Sequence, residues 1–335
     1  MTEPEPPGGE SLYRGPSAAP RDKRQRERER SGASTRPDSA DAPRHGADSR
    51  DRLSDDARGR LPGAARDTLP DTARDMRGGG DLPQDEPTQR MPVEQRYYGL
   101  NACLALFARR PEALRKVWLL ESRIPALKPV LAHCVKQRLG YTVVETTDLE
   151  KLSGSAHHEG VVFGAMAPVE QPLTAWLRTL GTGPQLAIWL DGVGNPHNLG
   201  AILRSAAHFG AAGLLLARET TISLSGAAAR VAEGGAEVLP LVRMGRSENA
   251  MRQLQAAGFT IAATVVRGGQ SLYATALPER LVLLMGAEQT GVDSALARLA
   301  LLKLMIPGSG AVESLNVASA SSVLLSEWRR QRAPA

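Results

Sequence analysis

A chain of 335 residues, 42% of them hydrophobic, has length enough for two or three domains. Its two cysteines, Cys103 and Cys134, exclude a disulfide framework and offer no paired metal-ligand spacing. No apolar run reaches the ~18–20 residues of a membrane span, and the first residues carry no signal-peptide h-region, so the chain reads as cytoplasmic.

The formal net charge of +5 is unevenly spread. Residues 1–90 hold 17 Lys and Arg against 18 Asp and Glu, which leaves 24 basic and 18 acidic residues, a net of +6, for the remainder. The same ninety residues contain one aromatic, Tyr13, and are crowded with Arg, Asp, Pro, Gly and Ser. Such a segment cannot bury enough apolar surface to offset the entropy of ordering its backbone, and a disordered tail is predicted. Within it, Arg21–Arg30 alternates charge sign and reads as a solvating tract or a weak RNA-gripping arm. The basic excess belongs to the folded part, as in proteins that meet polyanions, although a merely soluble basic protein has the same balance.

Periodic hydrophobicity begins near Pro92. Tyr97, Leu100, Leu104 and Phe107 recur at three- and four-residue spacings, which predicts a helix over 94–109. Strands are expected at Val117–Leu120, Thr142–Glu145 and Gly160–Met166, with a helix at Leu127–Arg138. Together these predict a small α/β domain over 91–167. Residues 168–184, with Pro172, Gly181 and Gly183, have linker chemistry around a short helical pattern at Leu173–Leu180.

From Gln185 the pattern is cleaner. Strands are predicted at Leu186–Leu190, Gly213–Ala217, Val238–Val242, Thr260–Val265, Leu281–Met285 and Leu302–Ile306. Helices are predicted at Leu199–Phe209, Glu248–Ala257 and Val317–Arg330. Alternation of this kind implies a mostly parallel sheet with helices on both faces, whose ligand sits beyond the carboxyl ends of the strands.

Three strand-exit loops are then the places to inspect. The first, Asp191–Arg204, is not a dinucleotide-binding turn, because Gly192 and Gly194 are followed by a third glycine only at Gly200 and Pro196 intervenes. Asn198 is placed as the N-cap of the following helix, with Leu199, Ile202, Leu203 and Ala206 on its apolar side. Arg204 and His208 share the polar side, where Arg204, read as one turn into the helix, could reach an RNA phosphate. In the second loop, Gly286 permits close backbone approach and Glu288 is the single acid, whose bland role is pairing with a helix N-terminus. The third runs from Ile306 through Gly308 and Gly310 to Ser314, Leu315 and Asn316. Ser314 and Asn316 are ordinary capping types at the start of a helix.

At these residues the chain resembles the SpoU (TrmH-like) branch of the SPOUT RNA methyltransferases over about 185–332. Three signatures occur in order with the family's spacing: NxGxxxR at Asn198–Arg204, GxExxG at Gly286–Gly291, and IPxxGxxxSLN at Ile306–Asn316. Residues 92–167 resemble, more weakly, an L30e-like RNA-binding domain, through Tyr98–Ala102 and His158–Val162.

The resemblance implies a SPOUT-type mostly parallel sheet with a deep trefoil knot over 185–335, a homodimer, and S-adenosylmethionine held in the knot. It implies methylation of a ribose 2′-hydroxyl in structured RNA, with ribosomal RNA ahead of transfer RNA, and no metal. Gly286, Ile306 and Leu315, with Leu284 and Pro307, are expected to contact the cofactor, and Arg204 to be the central catalytic residue. Asn198, Glu288, Ser314 and Asn316 are expected to arrange the site. The chain departs from the pattern at Gly308, where a bulkier apolar residue is usual, and in the run Ala318–Ser322. Two other readings are a non-catalytic RNA-binding protein that keeps the fold, against which the joint presence of Arg204, Glu288, Ser314 and Asn316 argues, and a nucleotide-dependent oxidoreductase, against which the missing fingerprint argues.

Overall fold

The computed structural model describes residues 91–333. The charged tail expected at 1–90, including Arg21–Arg30, lies outside the described residues.

The first sheet is built from β1 (Glu94–Tyr98), α1 (Leu100–Arg109), β2 (Leu114–Leu119), α2 (Ile124–Gln137), β3 (Gly140–Val143), α3 (Thr146–Ser153) and β4 (Val161–Met166). Its strand order is β1-β4-β2-β3. The helix predicted over 94–109 is half strand. Tyr97 enters the main core while Tyr98 joins Leu149 and Val162 on the opposite face, a period of two. Gly99, at φ 91°, turns the chain between β1 and α1 in a conformation that side chains resist. Glu159 then accepts a hydrogen bond from the Leu100 backbone N–H (3.0 Å) at the start of α1. The sequence reading also passed over α3, which buries only Leu149.

The second sheet has eight strands: β5 (Gln171–Pro172), β6 (Gln185–Asp191), β7 (Gly213–Leu216), β8 (Leu241–Arg243), β9 (Thr260–Thr264), β10 (Gln270–Ser271), β11 (Arg280–Gly286) and β12 (Leu302–Met305). They run β10-β12-β9-β11-β6-β7-β8-β5, and every pairing is parallel. Around them lie α4 (Leu173–Thr179), α5 (Pro196–His208), α6 (Gly226–Ala232), α7 (Ser247–Ala256), α8 (Ser294–Leu299) and α9 (Val317–Arg330). Successive β6 residues alternate between two cores. Leu186, Ile188 and Leu190 pack with α5, α6 and α9, whereas Ala187 and Trp189 pack with α4, α7 and α8. With both faces covered, β6, β7, β9 and β11 are apolar through their middles, which is why they read as continuous runs in sequence. The stretch 168–184 adds β5 to the sheet edge beside β8 and buries Trp176, whose indole N–H donates to the Ala212 carbonyl (3.0 Å).

Helices α5 and α6 approach closely at Gly200. A Cβ there would lie 2.4 Å from the Ala228 carbonyl oxygen and 2.7 Å from the Val231 Cβ. Gly200→Ala therefore forces the two helices apart, and urea denaturation is expected to register a loss of about 1–3 kcal/mol. Strand β1 and helix α1 rest on α6 and the turn after it. Arg110 forms a two-bond pair with Glu237 (2.6 and 2.9 Å), and Arg230 lies 3.3 Å from Glu159. Burial beside this joint pushes the Tyr97 phenol up to about 12.

The C-terminal helix is tied back by Trp328, which donates to the Pro278 carbonyl (3.1 Å), and by Gln331, which accepts from the Leu277 N–H (2.9 Å). Hydrogen bonds from Arg330 and then Gln331 lower the Glu327 carboxyl to about 2. A depressed acid stabilises the fold above its unfolded pKa of about 4.3. Acid titration followed by circular dichroism should thus show this contribution fading as pH falls from the ordinary carboxylate range toward 2, and Glu327→Gln should remove that part of the pH dependence.

Candidate active site

Strands β6 and β11 are neighbours in parallel register, and β12 lies one strand beyond β9, so the three exit loops leave one edge of the sheet. Helix α5 begins at Pro196, not after Asn198. Proline suits the first helical position because its missing N–H needs no partner there, and Asn195 is the cap, accepting from the His197 N–H (2.9 Å). This shift frees Asn198 from the capping role expected of it and leaves its side chain, buried in the first turn, to do something else.

That side chain joins the three loops. Asn198 Nδ2 donates to Glu288 Oε1. Asn316 Nδ2 donates to Asn198 Oδ1 (3.1 Å) and to the same Glu288 Oε1 (3.2 Å). Asn316 is oriented from behind, because its Oδ1 caps α9 by accepting from the Ala318 and Ser319 N–H groups (2.9 and 3.4 Å). One carboxylate oxygen therefore receives two amide donors whose directions are fixed by a helix start and by each other. Glu288 does not serve as a charge at a helix N-terminus; Asp293 caps α8 (2.9 and 3.1 Å). Asp191, at the end of β6, binds the Asp293 N–H (2.7 Å) and ties the first loop to the second.

The second loop closes tightly on itself. Ala287 and Gly291 exchange two backbone hydrogen bonds (3.1 and 2.8 Å), and Gly291 sits at φ 69°. Gly286 lies against this turn, so close that a Cβ would fall 2.0 Å from the Gly291 carbonyl carbon. Leu284 is buried in the sheet below, its carbonyl held by the Thr264 hydroxyl (3.0 Å). Ile306 is half-buried, whereas Pro307, Ser314 and Leu315 are exposed in the third loop.

Arg204 stands apart from this cluster. With α5 starting at Pro196, it is more than two turns into the helix, about 12 Å along its axis, and not one turn as the sequence reading had it. Its guanidinium is 3.0 Å from Glu233, at the end of α6, with its side chain 58% exposed. Arg204, His208 and Glu233 line a cavity of about 400 Å³ together with Ala105 and Arg109 of α1. The sequence reading missed Asp191, Asn195 and Glu233. Asp191 and Asn195 lie within the first loop as quoted but carry no spacing that distinguishes them, and Glu233 reaches Arg204 only through the packing of α6 on α5.

Comparison with known proteins defines the class. The SpoU rRNA Methylase family model matches residues 185–326, and the model for RNA 2′-O ribose methyltransferase substrate binding matches residues 97–168. The chain is 38% identical over 238 residues to the protein named Uncharacterized tRNA/rRNA methyltransferase YfiF of Escherichia coli O157:H7, across 71% of this chain and 68% of that one. It is 33% identical over 246 residues to the 23S rRNA (guanosine-2′-O-)-methyltransferase RlmB of Pseudomonas putida, across 71% and 97% of the two chains. An AdoMet-bound rRNA methyltransferase from Sinorhizobium meliloti superposes with a TM-score of 0.61 at 29% identity, over 72% of this chain and 88% of the other. The chain belongs to the SpoU rRNA methylase family.

Proposed function

We propose that this chain is an S-adenosylmethionine-dependent RNA methyltransferase acting on a ribose 2′-hydroxyl of structured RNA, with ribosomal RNA as its substrate class. The observation that carries the reading is the junction of Asn198, Glu288 and Asn316, one residue from each signature, across sequence separations of 90 and 118 residues. The residues around it suit the cofactor. The exposed run Pro307–Gly310 offers main-chain groups with little side chain in the way, Gly286 sits at the tight turn that shapes the second loop, and Leu315 keeps 48% of its surface exposed. Gly286, Ile306, Leu315, Leu284 and Pro307 are the residues assigned to hold it.

When bound, S-adenosylmethionine supplies a sulfonium-activated methyl group, so the protein has mainly to align the acceptor oxygen and stabilise charge on it. Glu288 fixes the two amides and through them the three loops, which makes it a positioning residue. Asn198, Ser314 and Asn316 arrange the ribose. Arg204 offers its guanidinium N–H groups to the acceptor oxygen and anchors a neighbouring phosphate.

The proposal includes the homodimer. Arg204 makes no hydrogen bond to Asn198, Glu288 or Asn316 of its own chain and is largely exposed, as suits a group offered to a second subunit's site. It also includes the trefoil knot that the family resemblance implies, and α9 returns onto α5, where the Ser205 and Ser322 hydroxyls meet at 2.8 Å. The domain bounds follow as 91–167 for the L30e-like RNA-binding part, 168–184 between, and 185–335 for the methyltransferase. Among the described residues no helix is long and apolar enough to cross a membrane, and we assign the chain to the cytoplasm with its RNA.

The test is transfer of a tritiated methyl group to purified RNA fractions. Labelling of ribosomal RNA at a nuclease-resistant, 2′-O-methylated dinucleotide is the expected result. Label confined to transfer RNA would move the substrate class, and label on a base would end the ribose assignment.

A further inference from the structure

The open part of the first sheet carries a surface that the methyl-transfer chemistry does not use. On its non-core face, Arg96 of β1 and Lys116 of β2 lie on either side of Gly164 of β4, each in register with it. Next to that row stands Trp118, partly exposed, with the Arg96 guanidinium 4.2 Å and the Lys116 ammonium 4.9 Å from its ring centroid. The ring leans over the glycine, since a Cβ on Gly164 would lie 3.3 Å from Trp118 Cζ3. The Glu94 carboxylate is at the same glycine, 2.8 Å from that position, so the patch is net +1. Helix α3 covers the other end of this face, around Tyr98, Leu149 and Val162, and Trp118 is partly buried against that cluster while the rest of its ring stays exposed.

Neither cation has a salt-bridge partner among the described residues, and packing against the small cluster accounts for the indole but not for the two charges held at its exposed part. Unpaired RNA does. Its bases stack on aromatic rings and guanidinium planes while its phosphates meet the charges. Arg96 and Lys116 are two strand spacings apart, roughly 9–10 Å, a span suited to phosphates of one strand.

We infer that the Arg96–Trp118–Lys116 face of the first sheet is a stacking platform for an unpaired stretch of the RNA substrate. The inference rests on the reading of the chain as an RNA methyltransferase, which it extends by assigning residues outside the three loops.

The tryptophans provide the test. Of the four, Trp176, Trp189 and Trp328 are buried, so quenching of tryptophan fluorescence by RNA reports on Trp118. The full-length protein is titrated with a single-stranded 12-nucleotide RNA of mixed sequence. Quenching is expected in the wild type and should vanish in Trp118→Phe, whose affinity, read by anisotropy of labelled RNA, stays within about threefold because a ring remains. Trp118→Ala should weaken binding by about tenfold or more. Arg96→Gln combined with Lys116→Gln should reduce the slope of log K against log salt by about 1.4. Melting curves and S-adenosylmethionine titration show whether each variant is folded. A wild type that methylates RNA but is not quenched, or variants with unchanged affinity and salt slope, would overturn the platform while leaving the enzyme assignment intact. A wild type that is quenched yet methylates no RNA fraction would keep the platform and remove the enzyme assignment.

Discussion

Arg204→Ala is expected to lower methyl transfer by about 10²–10³-fold or more, the cost of removing one charged donor from a developing oxyanion. S-adenosylmethionine affinity should stay within a few-fold. The two effects separate because of where the residue sits. Arg204 is exposed on α5, and its salt bridge to Glu233 is a surface pair of the kind that contributes at most about 1 kcal/mol. Truncating it leaves the apolar side of the helix and the amide–carboxylate junction untouched. Single-turnover rates with saturating RNA, beside calorimetric titration of the cofactor, make the measurement. Near-normal turnover in Arg204→Ala would remove this residue from the mechanism. Glu233→Gln is the useful companion, since it frees the guanidinium without deleting it and should retain most of the activity.

Gly286→Ala is expected to have the opposite signature, with cofactor binding lost. The added methyl would lie 2.0 Å from the Gly291 carbonyl carbon, 2.1 Å from the Val292 nitrogen and 2.3 Å from the Gly291 oxygen. All three are backbone atoms of a turn closed by its own hydrogen bonds, so no side-chain rotation relieves the overlap. The turn must move, and with it Glu288, two residues on. A loss of more than about 100-fold in S-adenosylmethionine affinity should accompany destabilisation of about 3 kcal/mol. Gly194→Ala is the control, because nothing lies within 4 Å of a Cβ there. Equal damage from both substitutions would mean that the close approach at Gly286 is not what matters.

The two halves of the fold differ in how far their residues reveal them. In the second sheet each long strand is buried on both faces, and the runs at 186–190, 213–216, 260–264 and 281–285 are legible as they stand. Helix α9 was predicted with its bounds, 317–330, because Asn316 is a capping residue directly before an apolar period. Strands β5 and β10, of two residues each, are too short to carry a period, and they exist only because a longer neighbour supplies the pairing. At 94–109 Tyr97 satisfied a helical spacing with Leu100, Leu104 and Phe107 by coincidence, and Gly99 was the sign of a break. At Asn195–Asn198 two capping types compete, and Pro196 decides between them, since its fixed φ and missing N–H belong at the first helical position.

The polar set of the site was legible as residue types; its wiring was not. That Asn198 and Asn316 share one oxygen of Glu288 depends on three loops arriving at one edge of the sheet. Spacing along a single helix does separate Asn198 from Arg204. Six residues turn the helix by about 600°, so the two side chains lie on different sides of α5.

The most direct test of the account is a transcriptome-scale map of ribose 2′-O-methylation in cells with the gene, without it, and with the Arg204→Ala form in its place. One or a few sites in ribosomal RNA should be methylated only with the intact gene. Identical maps in all three would contradict the assignment of a working ribose methyltransferase.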